Sequence, residues 1–403
     1  MKILLLNLYF PPDTSATAKM AQTVVDALGK EHDMTVLCGR PSYDATERRN
    51  WQLWQTETKE RFRIIRVGST AFPRFNMKKR VINDLSYVLL AIPRSLVVKC
   101  DVVLAMTDPP FEGIVGAVVA KLKGKPYIYN IRDLYPDMAV GGSIIEAGLM
   151  ARVWEKMHRW ALRQADCVIV LGEDMKNRIL AKGINASKIE VVRDGTEIGA
   201  DGAAPTVDMN VVREIRGEFQ FVLLHAGNIG FYGAWDTLLA AAKELAAEGV
   251  GFVFVGEGAQ RDALATEARG IPNVRFLPFF PGSKIPSVLA SADAHLITVK
   301  RGLEGVVVPS KMYGILAAGK PIVAVAPMET DVASHCLKQG FGIAVDPDRP
   351  AELIAAIRAL AADCDRMERM SRAAKEAAHG YDRVLELKKF TGIVGKIAAG
   401  EEN

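Results

Sequence analysis

The sequence predicts an α/β protein made of two doubly wound domains, each built on a mainly parallel sheet. Its 403 residues, 49% of them hydrophobic, are too many for one hydrophobic core and enough for two domains. Short apolar runs alternate with segments of helical period, which is typical of parallel strands covered by helices on both faces. The alternation stops at "GTEIGADGAAPTVD" (residues 195–208), which suits a linker, and then starts again.

Each half of the chain supplies its own set of strands. In the first half we predict strands at residues 2–10, 34–38, 63–67, 101–107, 126–131, 167–172 and 188–192. Helices are predicted there at residues 15–30, 81–98, 113–123 and 173–182. In the second half strands are predicted at residues 220–227, 251–256, 273–277, 294–299, 321–325 and 342–345, with mainly helix after about residue 349.

These elements predict the domain organisation. We expect an N-terminal domain at residues 1–198, a C-terminal domain at 199–380 and a final helix at 381–403 that packs back on the N-terminal domain. Two such domains leave a cleft where the carboxyl ends of both sheets meet, and ligands of open α/β sheets bind in such crevices.

Charge and cysteine content narrow the class of protein. Residues 1–200 carry 29 Lys and Arg against 22 Asp and Glu, whereas residues 201–403 carry 22 against 25. The basic half either reflects ordinary surface solubility or faces an anionic membrane or lipid phosphate, and we expect no nucleic-acid partner. The five scattered cysteines predict neither a disulfide framework nor a zinc site. Without a signal-peptide pattern or a run of roughly 18 apolar residues, we expect a cytoplasmic protein whose membrane contact, if any, is peripheral and on the cytoplasmic face.

The loops that follow the predicted strands hold the candidate site residues. After the first strand, "FPPDTSATA" (residues 10–18) contains Asp13, Ser15 and Thr17, for which helix capping is the simplest use. After the strand at 220–227, "GNIGFYG" offers Gly227, Asn228 and Gly230. Its glycines let a ligand approach the backbone and the next helix start offers N–H groups to a phosphate, although a tight turn also needs glycine.

A lysine stands where a helix is predicted to begin, in "VVVPSKMYGILAAGKP" (residues 306–321). Pro309 and Ser310 suit a helix start, so Lys311 falls in the first turn, at the positive end of the helix dipole. A bound diphosphate would make that position favourable for the lysine and the first-turn amides. A side chain that points to solvent is the alternative.

Together and in this order, the motifs resemble family 4 of the retaining glycosyltransferases over essentially the whole chain. The closest likeness is to the bacterial cell-surface polysaccharide branch, through "FPPDTSATA", "IRDLYPD", "AGNIG" and "VPSKMYGILAAGKP". The resemblance implies the GT-B arrangement of two Rossmann-like domains, with the nucleotide-sugar donor mainly on the C-terminal domain and the acceptor mainly on the N-terminal one. It also implies no metal or other cofactor. The one Asp-x-Asp pattern, "DCD" at residues 363–365, lies in a polar helical stretch and is not expected to bind metal.

The sequence departs from the family at the diphosphate. Asn228 and Tyr232 stand where many members have an arginine and a lysine that hold this group. Our hypothesis is that Lys311, helped by Lys300 or Arg301, supplies the missing positive charge.

The acidic residues depart as well. Many members have two glutamates eight positions apart, but Gly314 takes the place of the second, and Glu304 lies two residues too early for the first. Glu304 therefore either contacts the sugar hydroxyls after a loop rearrangement or is a solvated loop residue. Arg132 stands where many members have a histidine, and the next residue, Asp133, either holds or deprotonates the acceptor hydroxyl or caps the next segment. Asp194 replaces an asparagine of the family and is interpreted as structural.

Two further loops are candidates for the nucleoside. The loops at "FVGEG" (254–258) and "FLPFFPG" (276–282) offer Gly256, Glu257, Phe279 and Phe280. Either phenylalanine could pack on a base, and either could equally belong to the core.

The segment Lys78–Lys99 bears on the acceptor. It combines basic residues with an apolar stripe at helical spacing, which fits a core-facing helix and a membrane-surface helix equally well. The second interpretation predicts a polyprenyl-diphosphate-linked sugar as acceptor and peripheral contact with the inner membrane.

The predicted function is transfer of a sugar from a nucleotide-diphosphate sugar, with UDP favoured over GDP, to a saccharide or polyprenyl-linked saccharide. Two alternatives remain at this point. A nucleotide-sugar epimerase of the same fold would need acid and base residues near the leaving group, for which only Asp133 and Glu304 are available. A catalytically silent nucleotide-sugar-binding scaffold would explain the missing arginine, lysine and glutamate.

Overall fold

The computed structural model describes residues 1–41, 52–70, 72, 77–197 and 206–400. It confirms the predicted α/β class, with two mainly parallel sheets flanked by helices. The first sheet contains β1 (Lys2–Leu6), β2 (Asp33–Cys38), β3 (Trp54–Thr58), β4 (Phe62–Val67), β5 (Val102–Ala105), β6 (Tyr127–Asn130), β7 (Cys167–Val170) and β8 (Ile189–Val191). Their order is β3-β4-β2-β1-β5-β6-β7-β8, and only β3 pairs antiparallel, with β4. The sequence pattern missed β3 because "WQTET" is a polar and largely exposed edge strand without an apolar face.

Among the residues that the structure describes, six α-helices belong to this N-terminal domain. They are α1 (Ala16–Leu28), α2 (Met77–Val97), α3 (Glu112–Lys123), α4 (Asp137–Gly141), α5 (Leu149–Gln164) and α6 (Glu173–Ala181). Side chains of β1 alternate between two cores, with Leu4 and Leu6 packed in one and Ile3 and Leu5 in the other. This burial on both faces explains why the strands read as continuous apolar runs.

The second sheet is entirely parallel among the residues that the structure describes. It contains β9 (Phe221–Ala226), β10 (Val250–Val255), β11 (Val274–Leu277), β12 (Ala294–Thr298), β13 (Ile322–Val325) and β14 (Gly342–Val345), in the order β11-β10-β9-β12-β13-β14. The helices are α7 (Met209–Arg216), α8 (Trp235–Glu244), α9 (Arg261–Glu267), α10 (Ile285–Ala290), α11 (Lys311–Ala317), α12 (Asp331–Gln339), α13 (Pro350–Ala362), α14 (Cys364–Ala378) and α15 (Arg383–Ala399).

The chain returns to the N-terminal domain at its end. The helix α15 packs beside α1, and its Phe390 and Val394 share a core with Val24. Thr196, after the first sheet, pairs with Asp382, before α15, so the two crossings between the domains lie side by side. The expected boundary at residue 198 and most of the predicted linker lie outside the described residues.

The apolar residues of α2 lie on two different sides of the helix. Tyr87 and Ala91 are buried against the sheet, whereas Val81, Leu85 and Leu89 are exposed on the opposite side. The helix therefore has a core face and, separately, an outward apolar face. Within the described ranges, no helix combines the length and apolar character that crossing a bilayer requires.

Two carboxylates join the domains at one place. The Asp331 carboxylate accepts hydrogen bonds from the amides of Glu173 (2.9 Å) and Asp174 (3.1 Å), at the start of α6. In return, the Asp174 carboxylate accepts one from the Asp331 amide (3.1 Å), at the start of α12. Each helix N-terminus is thus capped by an aspartate of the other domain.

Candidate active site

The loops that follow β6 and β12 meet directly across the cleft. Asp133 pairs with Val307 as an antiparallel bridge, and the amide of Leu134 donates to the carbonyl of Val306 over 3.1 Å. The β12 loop then leads into α11, which begins at Lys311. Main-chain pairing therefore ties the N-terminal domain's Asp133 to the segment that carries Lys311.

Lys311 lies beneath the glycine-rich turn that follows β9. A Cβ atom built on Gly227 would be 3.6 Å from the Lys311 Nζ, so the turn passes directly over the amine. The Nζ is also 3.1 Å from both ring nitrogens of His225, the penultimate residue of β9. No described carboxylate forms an ion pair with Lys311, and burial lowers its pKa to about 7. Burial, and secondarily Lys311, hold the pKa of His225 well below its usual value, so the imidazole is neutral.

The glycine-rich turn is locked to the loop after β10. The amide of Gly227 donates to Val255 and that of Ile229 to Glu257, both over 2.9 Å. Gly256, at φ 146°, has no room for a side chain, because its Cβ would be 2.0 Å from the carbonyl oxygen of Gly227. The turn is further fixed by the Tyr232 hydroxyl, which donates to the carbonyl of Asn228 over 2.6 Å. Gly230 supports the following helix through its carbonyl, which accepts from the Trp235 indole.

Asp133 lies among charged groups of the N-terminal domain. Burial raises its pKa to about 6, and the nearby Asp108 adds to the effect, against the opposing influence of Arg132 and Arg80. Arg132 itself forms an almost buried ion pair with Asp194. Asp133 also reaches the other domain electrostatically, since burial first and then this carboxylate raise the pKa of Tyr232 to about 12.

Lys300 and Arg301, which we expected to assist Lys311, lie in different surroundings. The Lys300 amide donates to the carbonyl of Tyr232 over 2.7 Å, so its backbone adjoins the glycine-rich turn. The Arg301 guanidinium instead pairs with Asp346 and Asp348, and its charge is already balanced there. Glu304 accepts from the amide of Gly302 (2.8 Å).

Glu304 also belongs to a second interdomain feature. Its carbonyl accepts from Arg178 of α6 over 3.1 Å, and its side chain lines a cavity of about 1010 Å³ with α5 and α6. Among the described residues, no hydrogen bond or ion pair joins Glu304 to Lys311. Its role toward the donor sugar stays a prediction.

The two phenylalanines that are candidates for contact with the nucleoside differ in how exposed their side chains are. Phe279 is 56% exposed, and its ring edge lies 3.3 Å from the position of a Gly256 Cβ. Phe280 is partly buried against the core cluster of α7 and α10. The exposed side chain of Glu257 is 3.4 Å from Arg261. Of these two rings, that of Phe279 is the one exposed enough to stack on a base.

The remaining candidates have local structural contacts. Ser15 caps α1 by accepting from the amide of Ala18 (3.1 Å), while Thr17 is partly exposed in the first turn of that helix. Asp13 is buried close to Arg66. Ser310 precedes α11 without a side-chain capping bond, and Pro309 before it is partly exposed. In "DCD", the Asp363 side chain caps α14, and no group of three potential metal ligands occurs in the described part of the chain.

Sequence reasoning missed three residues of this cleft. His225 is a polar residue near the carboxyl end of a fully apolar strand, which is a signal that could have singled it out. Asp108 follows β5 at the same sheet edge as Asp133. Arg80 belongs to a basic run at the start of α2, one helical turn before Asp84, and only the fold brings it close to Asp108 and Asp133.

Comparisons with known proteins agree with this two-domain reading. Residues 16–195 match a family model described as "Glycosyl transferase 4-like domain", and residues 220–363 match one described as "Glycosyl transferases group 1". The chain is 26% identical over 380 residues to the "Putative colanic acid biosynthesis glycosyl transferase WcaI" of Escherichia coli (strain K12), covering 89% of this chain and 91% of the relative. It is 23% identical to the "Probable glycosyltransferase WbjE" of Pseudomonas aeruginosa over 332 residues, 80% of this chain and 82% of that one.

Solved structures share the fold along nearly the whole chain. The sucrose-phosphate synthase of Thermosynechococcus elongatus has a TM-score of 0.76 at 14% identity, with all of both chains covered. Anabaena Alr3699/HepE in complex with UDP and glucose has a TM-score of 0.70 at 16% identity, covering 98% of this chain and 100% of that one. The two family matches cover β2 to β14 and the loops that meet in the cleft, and they show that this chain belongs to the GT-B glycosyltransferases related to enzymes of polysaccharide biosynthesis.

Proposed function

We propose that the protein is a retaining glycosyltransferase that needs no metal. It moves a sugar from a nucleotide-diphosphate sugar, with UDP preferred to GDP, to a hydroxyl group of a lipid-linked or growing saccharide. The observation that carries the proposal is the Lys311 amine, which lies beneath the Gly227 turn without a carboxylate partner among the described residues. A partly buried amine beside the glycine-rich turn, with no carboxylate partner among the described residues, suits an anion that arrives with the substrate.

The donor half of the mechanism follows from charge. Breaking the bond between the anomeric carbon and the diphosphate leaves negative charge on the departing phosphate oxygen. Lys311 and the amides of the glycine-rich turn would stabilise that charge without reorganising. The acceptor oxygen then bonds to the same face of the sugar, and the departing phosphate takes the hydroxyl proton. No carboxylate nucleophile of the retaining-glycosidase kind is required.

Asp133 would orient the acceptor. Its carboxyl is ionised above a pH of about 6 and can then accept a hydrogen bond from the attacking hydroxyl. Removing that acceptor by Asp133→Ala should lower kcat by about 100-fold, the usual scale of such a contribution, while nucleotide binding persists. In the wild type, kcat should fall as the pH drops below about 6. A pH-independent kcat between 5 and 8 would remove Asp133 from this role.

Support for UDP and for a lipid-linked acceptor comes from different observations. Structures of Anabaena Alr3699/HepE contain UDP or UDP-glucose on the same fold.

The outward apolar face of α2 (Val81, Leu85 and Leu89), with Lys79 near its start, suits a helix at an anionic membrane surface. Co-sedimentation with vesicles containing anionic lipid, reduced by Leu89→Glu, would support a membrane-linked acceptor.

The first experiment is a thermal shift with UDP, GDP, ADP and their common sugars. The wild type should be stabilised selectively by UDP compounds, and Lys311→Met should lose this effect. Lys338→Met is the matched control, because Lys338 is an exposed lysine on α12 outside the cleft. If no nucleotide stabilises the wild type, the protein is not a donor-binding transferase, and a catalytically silent scaffold that has also lost nucleotide binding explains the family match better.

Product stereochemistry tests the reaction type. With a free saccharide acceptor, NMR of the anomeric proton should show a product with the configuration of the donor. Recovery of an isomerised nucleotide sugar without transfer would favour the epimerase instead.

A further inference from the structure

We propose that His225 is a positioning residue for the diphosphate site, and that the His225–Lys311 pair takes up a proton when a nucleoside diphosphate binds. The inference rests on the proposed function, because it assigns Lys311 to the donor. Neither comparison with relatives nor the motifs of the sequence assigns any role to His225.

The first step concerns the hydrogen bonds of the pair. One His225 nitrogen bonds a main-chain carbonyl, since Nε2 is 3.4 Å from the Asn228 oxygen and the ring also bonds Leu296. In a neutral imidazole one nitrogen donates and the other keeps a lone pair. The Lys311 Nζ is 3.1 Å from both nitrogens, so the amine lies over the face of the ring and not in the plane of either lone pair. His225 thus supports the amine under the turn through its ring face.

The second step concerns what holds His225. The ring is fully buried and meets the Trp235 ring edge-on, with the centroids 5.0 Å apart. Trp235 in turn donates to the carbonyl of Gly230, and Tyr232 donates to the same Asn228 carbonyl that lies near His225. The glycine-rich turn, the imidazole and the amine therefore form one connected unit. A substitution at His225 should therefore change the position of the Lys311 amine without replacing any side chain that contacts the ligand directly.

The third step concerns charge. Two basic groups 3.1 Å apart in a buried site cannot both be protonated at neutral pH, because the repulsion adds to the loss of hydration. The titratable groups around the amine are His225 from β9, His295 from β12 and Tyr232 across the turn. None of them is an anion at neutral pH. A diphosphate would be the first negative charge in the unit, and a proton drawn from solvent would accompany it.

Calorimetry with UDP as the probe counts this proton. Binding to the wild type is measured at pH 8, where the terminal phosphate of UDP is already ionised, in two buffers of different ionisation enthalpy. Burial lowers the pKa of the amine to about 7, so uptake should approach one proton per UDP. Lys311→Met should bring the uptake to zero. No uptake by a wild type that binds UDP would overturn the inference while leaving the proposed function intact.

Substitutions at His225 test its positioning role. His225→Ala removes the ring face that supports the amine, and it should weaken UDP binding at least tenfold and reduce the proton uptake at pH 8. His225→Phe keeps a flat ring under the amine and should stay within about threefold of the wild type. His295→Gln is the matched control, since His295 is an equally buried histidine on the neighbouring strand that bonds the Leu289 carbonyl and should leave affinity and proton count unchanged.

The outcomes separate the two proposals. Unchanged affinity and proton count in His225→Ala would refute the role of His225. If the Ala variant does not fold, the wild-type proton count and the Phe variant still decide. If the wild type binds no nucleoside diphosphate at all, the proposed function fails, and this inference fails with it.

Discussion

The reciprocal aspartates between the domains give a stability prediction with a definite sign. Burial raises the pKa of Asp174 from an ordinary 3.8 to about 6, and the carboxylate of Asp331 adds to it, while amide hydrogen bonds oppose it. A rise of this size means that the ionised carboxylate costs the folded state about 3 kcal/mol. Asp174→Asn removes that charge and keeps a carbonyl oxygen for the amide of Asp331, but its NH2 group replaces the oxygen that accepts from the Met175 amide over 2.7 Å, which offsets part of the gain. The variant should therefore be more stable than the wild type at neutral pH.

The pH dependence follows from the direction of the shift. Below pH 3.8 the carboxyl is protonated in both folded and unfolded chains, so it costs nothing. The cost grows as the pH rises past this value and is complete above about 6. For a chain of this length, about 3 kcal/mol corresponds to about 3 °C in Tm. Asp174→Asn should exceed the wild type by up to that amount at pH 7.5 and by little at pH 4.5.

Calorimetry or fluorimetry from pH 4.5 to 7.5 measures the difference directly. Glu173→Gln is the control, because Glu173 is the exposed carboxyl next to Asp174, and it should show no pH-dependent gain. The buried Asp133 titrates in the same range but is common to both proteins, so it cancels. A lower Tm for Asp174→Asn at both ends of the range would refute the reasoning, because it would mean that the ionised carboxylate stabilises the interface.

Three further predictions concern the donor loop, the last helix and the reaction. Gly256→Ala should weaken UDP binding by at least tenfold in a thermal-shift titration. The reason is that its Cβ would lie 2.0 Å from the Gly227 oxygen, at a φ of 146°. Unchanged affinity would mean that the two loops can separate freely. Phe390→Ala should cost about 3 to 5 kcal/mol in urea unfolding of the N-terminal domain, because its ring is buried against α1, whereas the exposed Leu385→Ala should cost little. Transfer should persist in EDTA, because Lys311 and main-chain amides would carry the charge stabilisation; loss of activity that Mg²⁺ or Mn²⁺ restores would contradict this.

The fold was accessible from the sequence because burial leaves a strong pattern. Strands covered on both faces must be apolar at every position, as β10 is in "VGFVFV", and helices between them must have one apolar face. The edge strand β3 carries no such constraint, and its polar "WQTET" gave no signal. Element order then determined the two-domain class, since repeated strand and helix units have few ways to close a parallel sheet.

The candidate site was accessible only in part, for a related reason. Glycines and a lysine at strand ends are visible in a linear sequence, and Lys311, Gly227 and Gly256 do lie together. The pairing of Arg301 with two aspartates of the β14 loop is invisible there, because those residues lie more than 40 positions away along the chain.

What the sequence by itself determined is therefore the alternation of buried strands and helices, the family motifs and the unusual lysine at the start of α11. What only the tertiary structure decided is which charges meet: Lys311 over a neutral His225, Asp133 beside Asp108, and Asp174 against Asp331. Hydrophobic burial is recorded locally, as a period along the chain. Electrostatic interaction instead depends on distance and on exclusion of water, and both are set only when distant loops come together.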